Sequence, residues 1–206
     1  MHIAIAGNIG SGKTTLANLL AQHYNWEAHF EDAEANPYLN NFYEDMERWA
    51  FNLQIYFMQS RLGEIIDIRK SGRNVIQDRT IYEDAYVFAE NLHDMRLLDT
   101  RDFENYLGMF EKMSSLISPP DLLIYLKANV STLLEQIRKR GRVYEQGISP
   151  EYLTRLNEKY EKWTSNYKLG KILTVDIDNL NFPNRPEDLD KLITLIDNTL
   201  KWVTIK

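Results

Sequence analysis
The chain has 206 residues, 44% hydrophobic and 26% charged, with a formal net charge of −6. That length suits one domain, 1–206, around one core, and the composition lies outside the disordered and membrane-spanning classes. The acidic balance argues against a nucleic-acid scaffold, and the absence of cysteine excludes disulfides, thiolate catalysis and thiolate zinc sites and points to a reducing cytoplasm.

Residues His2 to Ala6 read as a short buried strand. The N-terminus has no basic region, and the apolar run Ile3 to Ala6 is too short for a signal peptide or a membrane span, so the expectation is a chain that starts directly in structure. The strand runs into Gly7-Asn8-Ile9-Gly10-Ser11-Gly12-Lys13-Thr14-Thr15, and Leu16, Leu19, Leu20 and Tyr24 then repeat at helical spacing. A Gly-x-x-x-x-Gly-Lys-Thr run between a strand and a helix is a phosphate-binding loop. Its glycines let the backbone wrap a phosphate, and the helix N-terminus adds partial positive charge. Lys13 is expected to bridge the β- and γ-phosphates of ATP, and the Thr14 hydroxyl to hold Mg²⁺.

Trp26 to Phe30 forms a second strand, Asn36-Pro37 breaks the pattern, and a long helix is expected from about Phe42 to Arg69, ending near Ser71-Gly72. Between Lys13 and Arg48 there is no Lys or Arg, but there are seven acids. Such a stretch repels an acceptor that already carries phosphate, which favours an uncharged alcohol. Most of these acids read as a solvated face. Glu31, at the end of a strand neighbouring the loop, reads as the base for an attacking hydroxyl.

On the long helix, Tyr43, Gln54 and Arg61 return to nearly one face at about 100° per residue. They stand among Trp49, Phe51, Leu53, Ile55, Tyr56, Phe57 and Met58. Hydrogen-bonding groups on an aromatic surface suit a nucleobase; the same pattern also fits a core helix whose polar residues meet ordinary partners.

Asn74 to Gln77 is a third strand delivering Asp78-Arg79, with Asp78 placed for the metal and Arg79 for the transferred group or for Glu31. Helices follow at Tyr82–Asn91 and Arg101–Ser115. After Pro119-Pro120 comes the apolar strand Leu122 to Leu126, and then a helix from Ser131 to Arg140. The run Arg138-Lys139-Arg140-Gly141-Arg142, continuing to Gly147, reads as a cationic lid over the phosphates at 138–147, or as favourable charge at a helix C-terminus. A charged helix (Pro150–Tyr167), a strand (Ile172–Ile177) and a helix (Pro186–Trp202) complete the chain. Strands alternating with helices predict a three-layer α/β fold, a central parallel sheet flanked by helices.

These motifs together resemble the deoxyribonucleoside kinase family, in particular its bacterial branch. The likeness rests on GNIGSGKTT, on Glu31 with Asn36-Pro37-Tyr38-Leu39, on Asp78-Arg79-Thr80-Ile81-Tyr82-Glu83-Asp84, and on Arg140 to Ile148 with Glu151-Tyr152-Leu153. Two departures stand out: Asp32 follows Glu31 where animal members have proline, and Thr80 replaces serine. The resemblance implies the P-loop kinase fold, with ATP and Mg²⁺ serving a deoxynucleoside acceptor. It implies Glu31 as general base with Arg79 as its partner, and Tyr43 and Glu145 on the sugar 3′-hydroxyl. Gln54 would meet the base edge, Phe88 its face, and Arg140 and Arg142 would be lid cations. The pair Arg61–Asp84 leans away from thymidine, and within the bacterial branch the short chain and the Asn36-Pro37 segment imply a purine deoxynucleoside, deoxyadenosine first, then deoxyguanosine or deoxycytidine. A homodimer packed through the long helix is also implied. The rivals are a thymidylate-type monophosphate kinase and a P-loop regulatory NTPase, although no Asn-Lys-x-Asp guanine signature is present.

Overall fold
The computed structural model describes residues 1–30, 35–145 and 147–201. Five strands, β1 (His2–Gly7), β2 (Glu27–His29), β3 (Val75–Asp78), β4 (Leu122–Lys127) and β5 (Lys171–Asp176), form one sheet in the order β2-β3-β1-β4-β5. Every pairing is parallel. In β1, Ile3, Ala4, Ile5 and Ala6 are all fully buried. Successive strand residues face opposite sides, so both faces of the sheet centre are covered, as the apolar runs of a parallel sheet require.

The helices are α1 (Lys13–Tyr24), α2 (Leu39–Glu44), α3 (Met46–Ser71), α4 (Ile81–Glu83), α5 (Glu90–Asp94), α6 (Thr100–Ser114), α7 (Val130–Arg140), α8 (Pro150–Ser165) and α9 (Pro186–Lys201). Their ends follow local chemistry. Asn25 and Gly141 adopt left-handed conformations after α1 and α7, and Ser149 caps α8 by accepting from the Tyr152 N–H, with Pro150 at the first helical position. Among the described residues, no helix is long and apolar enough to cross a membrane.

Two expected helices differ in detail. The predicted Phe42–Arg69 helix is two helices, because Asp45 leaves helical geometry (φ −147°) and accepts from the Arg48 N–H at 3.1 Å. Asp45 thus acts as an N-cap. The helix predicted from Tyr82 is continuous through α5, but Asp84–Ala89 is π-helical, with the Glu90 N–H reaching back to Ala85 O. Helical periodicity does not distinguish this wider turn, which recurs at functional sites.

Chain order reverses about β1: its neighbour β3 follows through β2, and its other neighbour β4 lies on the opposite side. Crevices at such reversals, beyond the carboxyl ends of the strands, are where open α/β sheets bind ligands.

Candidate active site
A cleft opens there, with about 930 Å³ of empty space counting the part open to solvent. It joins the loop after β1, the turn after β3, the inner faces of α2 and α3, the π-helical segment and the stretch after α7.

The loop closes on Asn8. The Ile9 N–H bonds Asn8 Oδ1 at 2.7 Å, the Ser11 N–H bonds Asn8 O at 3.1 Å, and Lys13 Nζ donates to the same carbonyl at 3.0 Å. The Asn8 amide points away from the cleft and donates to Leu153 O and Asn157 Oδ1 of α8, at 3.0 and 2.7 Å. Of the loop residues, Ile9, Gly10, Lys13 and Thr14 line the cleft, whereas Thr15 is exposed on the first turn of α1 and Ser11 is buried beneath the loop. Gly10 has φ +85°, and an added Cβ would lie 2.7 Å from Leu133 O, so both conformation and space require glycine.

Register places Asp78 beside Ile5, two residues before Gly7. The Thr14 hydroxyl donates to Asp78 Oδ2 at 2.5 Å. Among the described residues, the buried Asp78 Oδ1 has no hydrogen-bond partner. An orphaned carboxylate oxygen beside a hydroxyl, facing a phosphate loop, is a donor set that fits Mg²⁺. Asp78 and Arg79 are both buried, with exposures of 2% and 6%.

Arg79 has φ +73°, uncommon for a side-chain-bearing residue. Its N–H donates to Ile5 O at 2.8 Å, and Nη1 lies 3.3 Å from Glu83 Oε1 and 2.9 Å from the Tyr160 hydroxyl. The guanidinium sits 4.7 Å from the Phe88 ring centre, a cation–π distance.

On the acceptor side, Gln54 is 2% exposed and lines the cleft, and among the described residues its Oε1 has no hydrogen-bond partner. Asp84 and Phe88, four residues apart, also face the cleft. Arg61 is not among the cleft-lining residues. It backs Asp84 instead, at 2.7 Å, both side chains 3% exposed. Tyr43 belongs to α2, so the helical-face argument linking it to Gln54 does not apply. It still reaches the cleft and stacks on Tyr144, with ring centres 5.9 Å apart. Phe42, Leu39, Leu53 and Phe57 supply the apolar walls.

Arg140 ends α7, and Val143–Glu145 forms a 3-10 turn. Glu145, 5% exposed, accepts from Arg140 Nε at 3.0 Å and is paired with Arg140 Nη2 and, at 3.7 Å, with Arg142 Nη1. Arg140, Arg142 and Glu145 all line the cleft. Glu31 and Gln146 lie outside the described residues; β2 ends at His29, two positions before Glu31.

Sequence reasoning missed Glu83, Tyr144, Asn157 and Tyr160. Glu83 had a local signal, since Thr80 and Glu83 form the reciprocal capping box of α4. Tyr160 is separated from its partner Gly7 by 153 positions, and no local pattern announces such a contact. Burial also raises the phenol of Tyr152, a cleft residue, to about 12, against the opposing influence of Arg79 and an Asn91 hydrogen bond.

A family model described as deoxynucleoside kinase matches residues 3–201. The deoxyadenosine/deoxycytidine kinase of Bacillus subtilis is 34% identical over 200 residues, 96% of this chain and 92% of that protein. The deoxyguanosine kinase of the same organism is 35% identical over 198 residues, 92% and 93% of the two chains. A solved structure of deoxyadenosine kinase from M. mycoides, with products dCMP and a flexible dCDP bound, superposes with a TM-score of 0.84 at 32% identity, covering 98% of this chain and 99% of that one.

Proposed function
The chain belongs to the deoxynucleoside kinase family, and from that premise we propose that it phosphorylates the 5′-hydroxyl of a deoxynucleoside, with a purine preferred: deoxyadenosine first, then deoxyguanosine or the pyrimidine deoxycytidine. It is an ATP-dependent phosphotransferase with an alcohol acceptor. The observation that carries the preference for an amino-bearing base is Gln54 Oε1, a buried acceptor in the inner cleft with no hydrogen-bond partner among the described residues, next to the Arg61-paired carboxylate of Asp84. A buried acceptor left unpaired costs free energy. An exocyclic amino group relieves that cost; thymine has none.

In this reading the triphosphate lies on the loop and the N-terminus of α1, and Lys13 exchanges Asn8 O for phosphate oxygens. Thr14 and Asp78 hold Mg²⁺, which when bound neutralises phosphate charge. Tyr43 and Glu145 take the sugar, Gln54 the base edge and Phe88 the ring face. Glu31 accepts the 5′-hydroxyl proton as that oxygen attacks the γ-phosphorus and the bond to the β-phosphate oxygen breaks. Arg79, Arg140 and Arg142 stabilise the charge spread over the transferred group.

The proposed setting is the cytoplasm, supported by the cysteine-free composition. The proposed assembly is a homodimer through α3, supported by Ile55, Leu62 and the 38%-exposed Ile66, which fall on one face. Light scattering would report twice the chain mass, and Leu62→Glu would return a monomer.

The central test is ADP release with ATP and each of deoxyadenosine, deoxyguanosine, deoxycytidine, thymidine and dTMP. Deoxyadenosine is expected to give the highest kcat/KM. Faster turnover of dTMP would reinstate the monophosphate-kinase reading, and hydrolysis indifferent to every nucleoside would favour a regulatory NTPase.

A further inference from the structure
Arg79 adopts a left-handed backbone conformation that costs a side-chain-bearing residue about 1 kcal/mol or more. The surrounding structure must hold it there: the Arg79 N–H bonds Ile5 O at 2.8 Å, and the Glu83 carboxylate holds the next backbone N–H, that of Thr80, and the Arg79 guanidinium. This carboxylate is fully buried, a placement tolerated only when a charge is paired and hydrogen-bonded. Its Oε1 lies 3.2 Å from the Gly7 N–H, 3.3 Å from Arg79 Nη1 and 2.7 Å from the Tyr160 hydroxyl, and its Oε2 accepts from the Thr80 N–H at 2.8 Å. One side chain therefore ties together the last residue of β1, the turn after β3, and α8.

Tyr160, also fully buried, completes the cluster. Its oxygen accepts from Arg79 Nη1 at 2.9 Å, and its single proton has two acceptors within reach, Glu83 Oε1 and Gly7 O at 2.8 Å. Burial, and then the negative charge of Glu83, raise the phenol well above its ordinary range, so the proton stays in place across the pH range in which the enzyme works. The ring stacks on Tyr125 at 5.6 Å and meets Phe88 edge-on at 6.4 Å. Neither Glu83 nor Tyr160 lines the cleft, whereas Arg79 does, beside Lys13 and Thr14.

We propose that Glu83 and Tyr160 are positioning residues for phosphoryl transfer, fixing the Arg79 guanidinium at a set distance from the start of the phosphate loop. Neither touches substrate. Gly7 begins the loop that carries the donor phosphates, and Arg79 faces the group in transit, so their relative placement sets how well the guanidinium meets charge that appears only in the transition state. Misplacement by about 1 Å costs on the order of a hundredfold in rate. Loss of one of the several bonds holding Arg79 is expected to cost less, and in kcat rather than in KM.

The proposal rests on the kinase reading above. Its test compares Tyr160→Phe with wild type at saturating ATP and deoxyadenosine, and repeats the comparison in an Arg79→Lys background. The expected result is a fall in kcat of about tenfold with both KM values within about threefold. In the Arg79→Lys background the same change should cost less than about twofold, because two residues acting as a unit are non-additive. Unchanged kcat, or an equal fold-loss in both backgrounds, would overturn the proposal, the latter marking Tyr160 as a packing residue. Glu83→Gln keeps the shape but sets an amide N–H against inward-pointing donors, and provides the same cycle should Tyr160→Phe not fold. A wild-type protein that turns over no deoxynucleoside would strike down the functional reading, and this inference with it.

Discussion

The pair Arg61–Asp84 yields the sharpest prediction, because it couples stability to substrate choice. Both side chains are 3% exposed and their closest atoms are 2.7 Å apart. Asp84→Ala removes the carboxylate that pairs with this buried guanidinium. Breaking a buried pair from one side costs about 3–5 kcal/mol, whereas replacing both partners with apolar groups of similar volume is close to neutral. Against a total stability of about 5–15 kcal/mol, the single change should lower the urea midpoint strongly and Tm by about 6–20 °C. Arg61→Met combined with Asp84→Ala should recover most of that loss. Urea denaturation of wild type, both single variants and the double variant gives the coupling energy directly. A cost below about 1 kcal/mol for Asp84→Ala, or a double variant losing the full sum of the singles, would refute the electrostatic reasoning. The same double variant tests selectivity: removing an acceptor from the cleft wall should raise kcat/KM for thymidine relative to deoxyadenosine. An unchanged ratio would detach the pair from base choice.

Three further outcomes are expected. Glu31→Gln should lower turnover at least tenfold with the ATP dissociation constant within about twofold; a smaller loss would transfer the base role elsewhere. Gly10→Ala, strained at φ +85° and directed at Leu133 O, should cost about 1–2 kcal/mol of stability, or about 2–8 °C in Tm, and raise the KM for ATP; a melting curve unchanged from wild type would contradict the geometry. Glu90 is pushed up by burial, but its bonds to Lys162 and Lys159 outweigh this and leave its carboxyl below the usual value. A lowered folded value stabilises above the unfolded value and is lost as pH falls through the folded one. Glu90→Gln should therefore lower Tm at pH 7 and converge with wild type in acid below about pH 4; a difference that persisted there would mark the effect as packing.

The parts of this fold legible in the sequence are those with a local cause. The central strands β1 and β4 read as continuous apolar runs because both their faces are buried, and the phosphate loop is legible because its glycines and Lys13 are fixed in number and spacing. The break at Asp45 was also written locally, as an acid three residues before Arg48 with helix formers following, yet the stronger aromatic periodicity across it masked the cap. Tyr43 shows the consequence: it reaches the cleft from a separate helix, and not through the helical-face spacing that links it to Gln54 in the sequence. The π-turn at Asp84–Ala89 leaves no trace in apolar spacing, although it belongs to the segment that turns Asp84 and Phe88 toward the cleft.

What the sequence hides is the wiring between distant segments. Asn8 anchors the loop to α8 through Leu153 O and Asn157, and Tyr160 anchors Gly7 to the same helix. Helix α8 also follows shortly after the stretch in which Arg140 and Arg142 are held by Glu145. One helix thus contacts the back of the phosphate loop and lies just beyond the Arg140–Glu145 ion pairs. A ligand group that competes for the Glu145 carboxylate would loosen its hold on Arg140 and Arg142 as the acceptor site fills, so ATP should bind more tightly once the nucleoside is in place. By linkage the nucleoside must gain the same factor from the nucleotide. Glu145→Gln should shrink that factor toward one in calorimetric titrations made with and without the second ligand. A non-hydrolysable ATP analogue would keep the measurement at equilibrium. An undiminished factor would mean that the coupling runs through α8 rather than through the ion pairs.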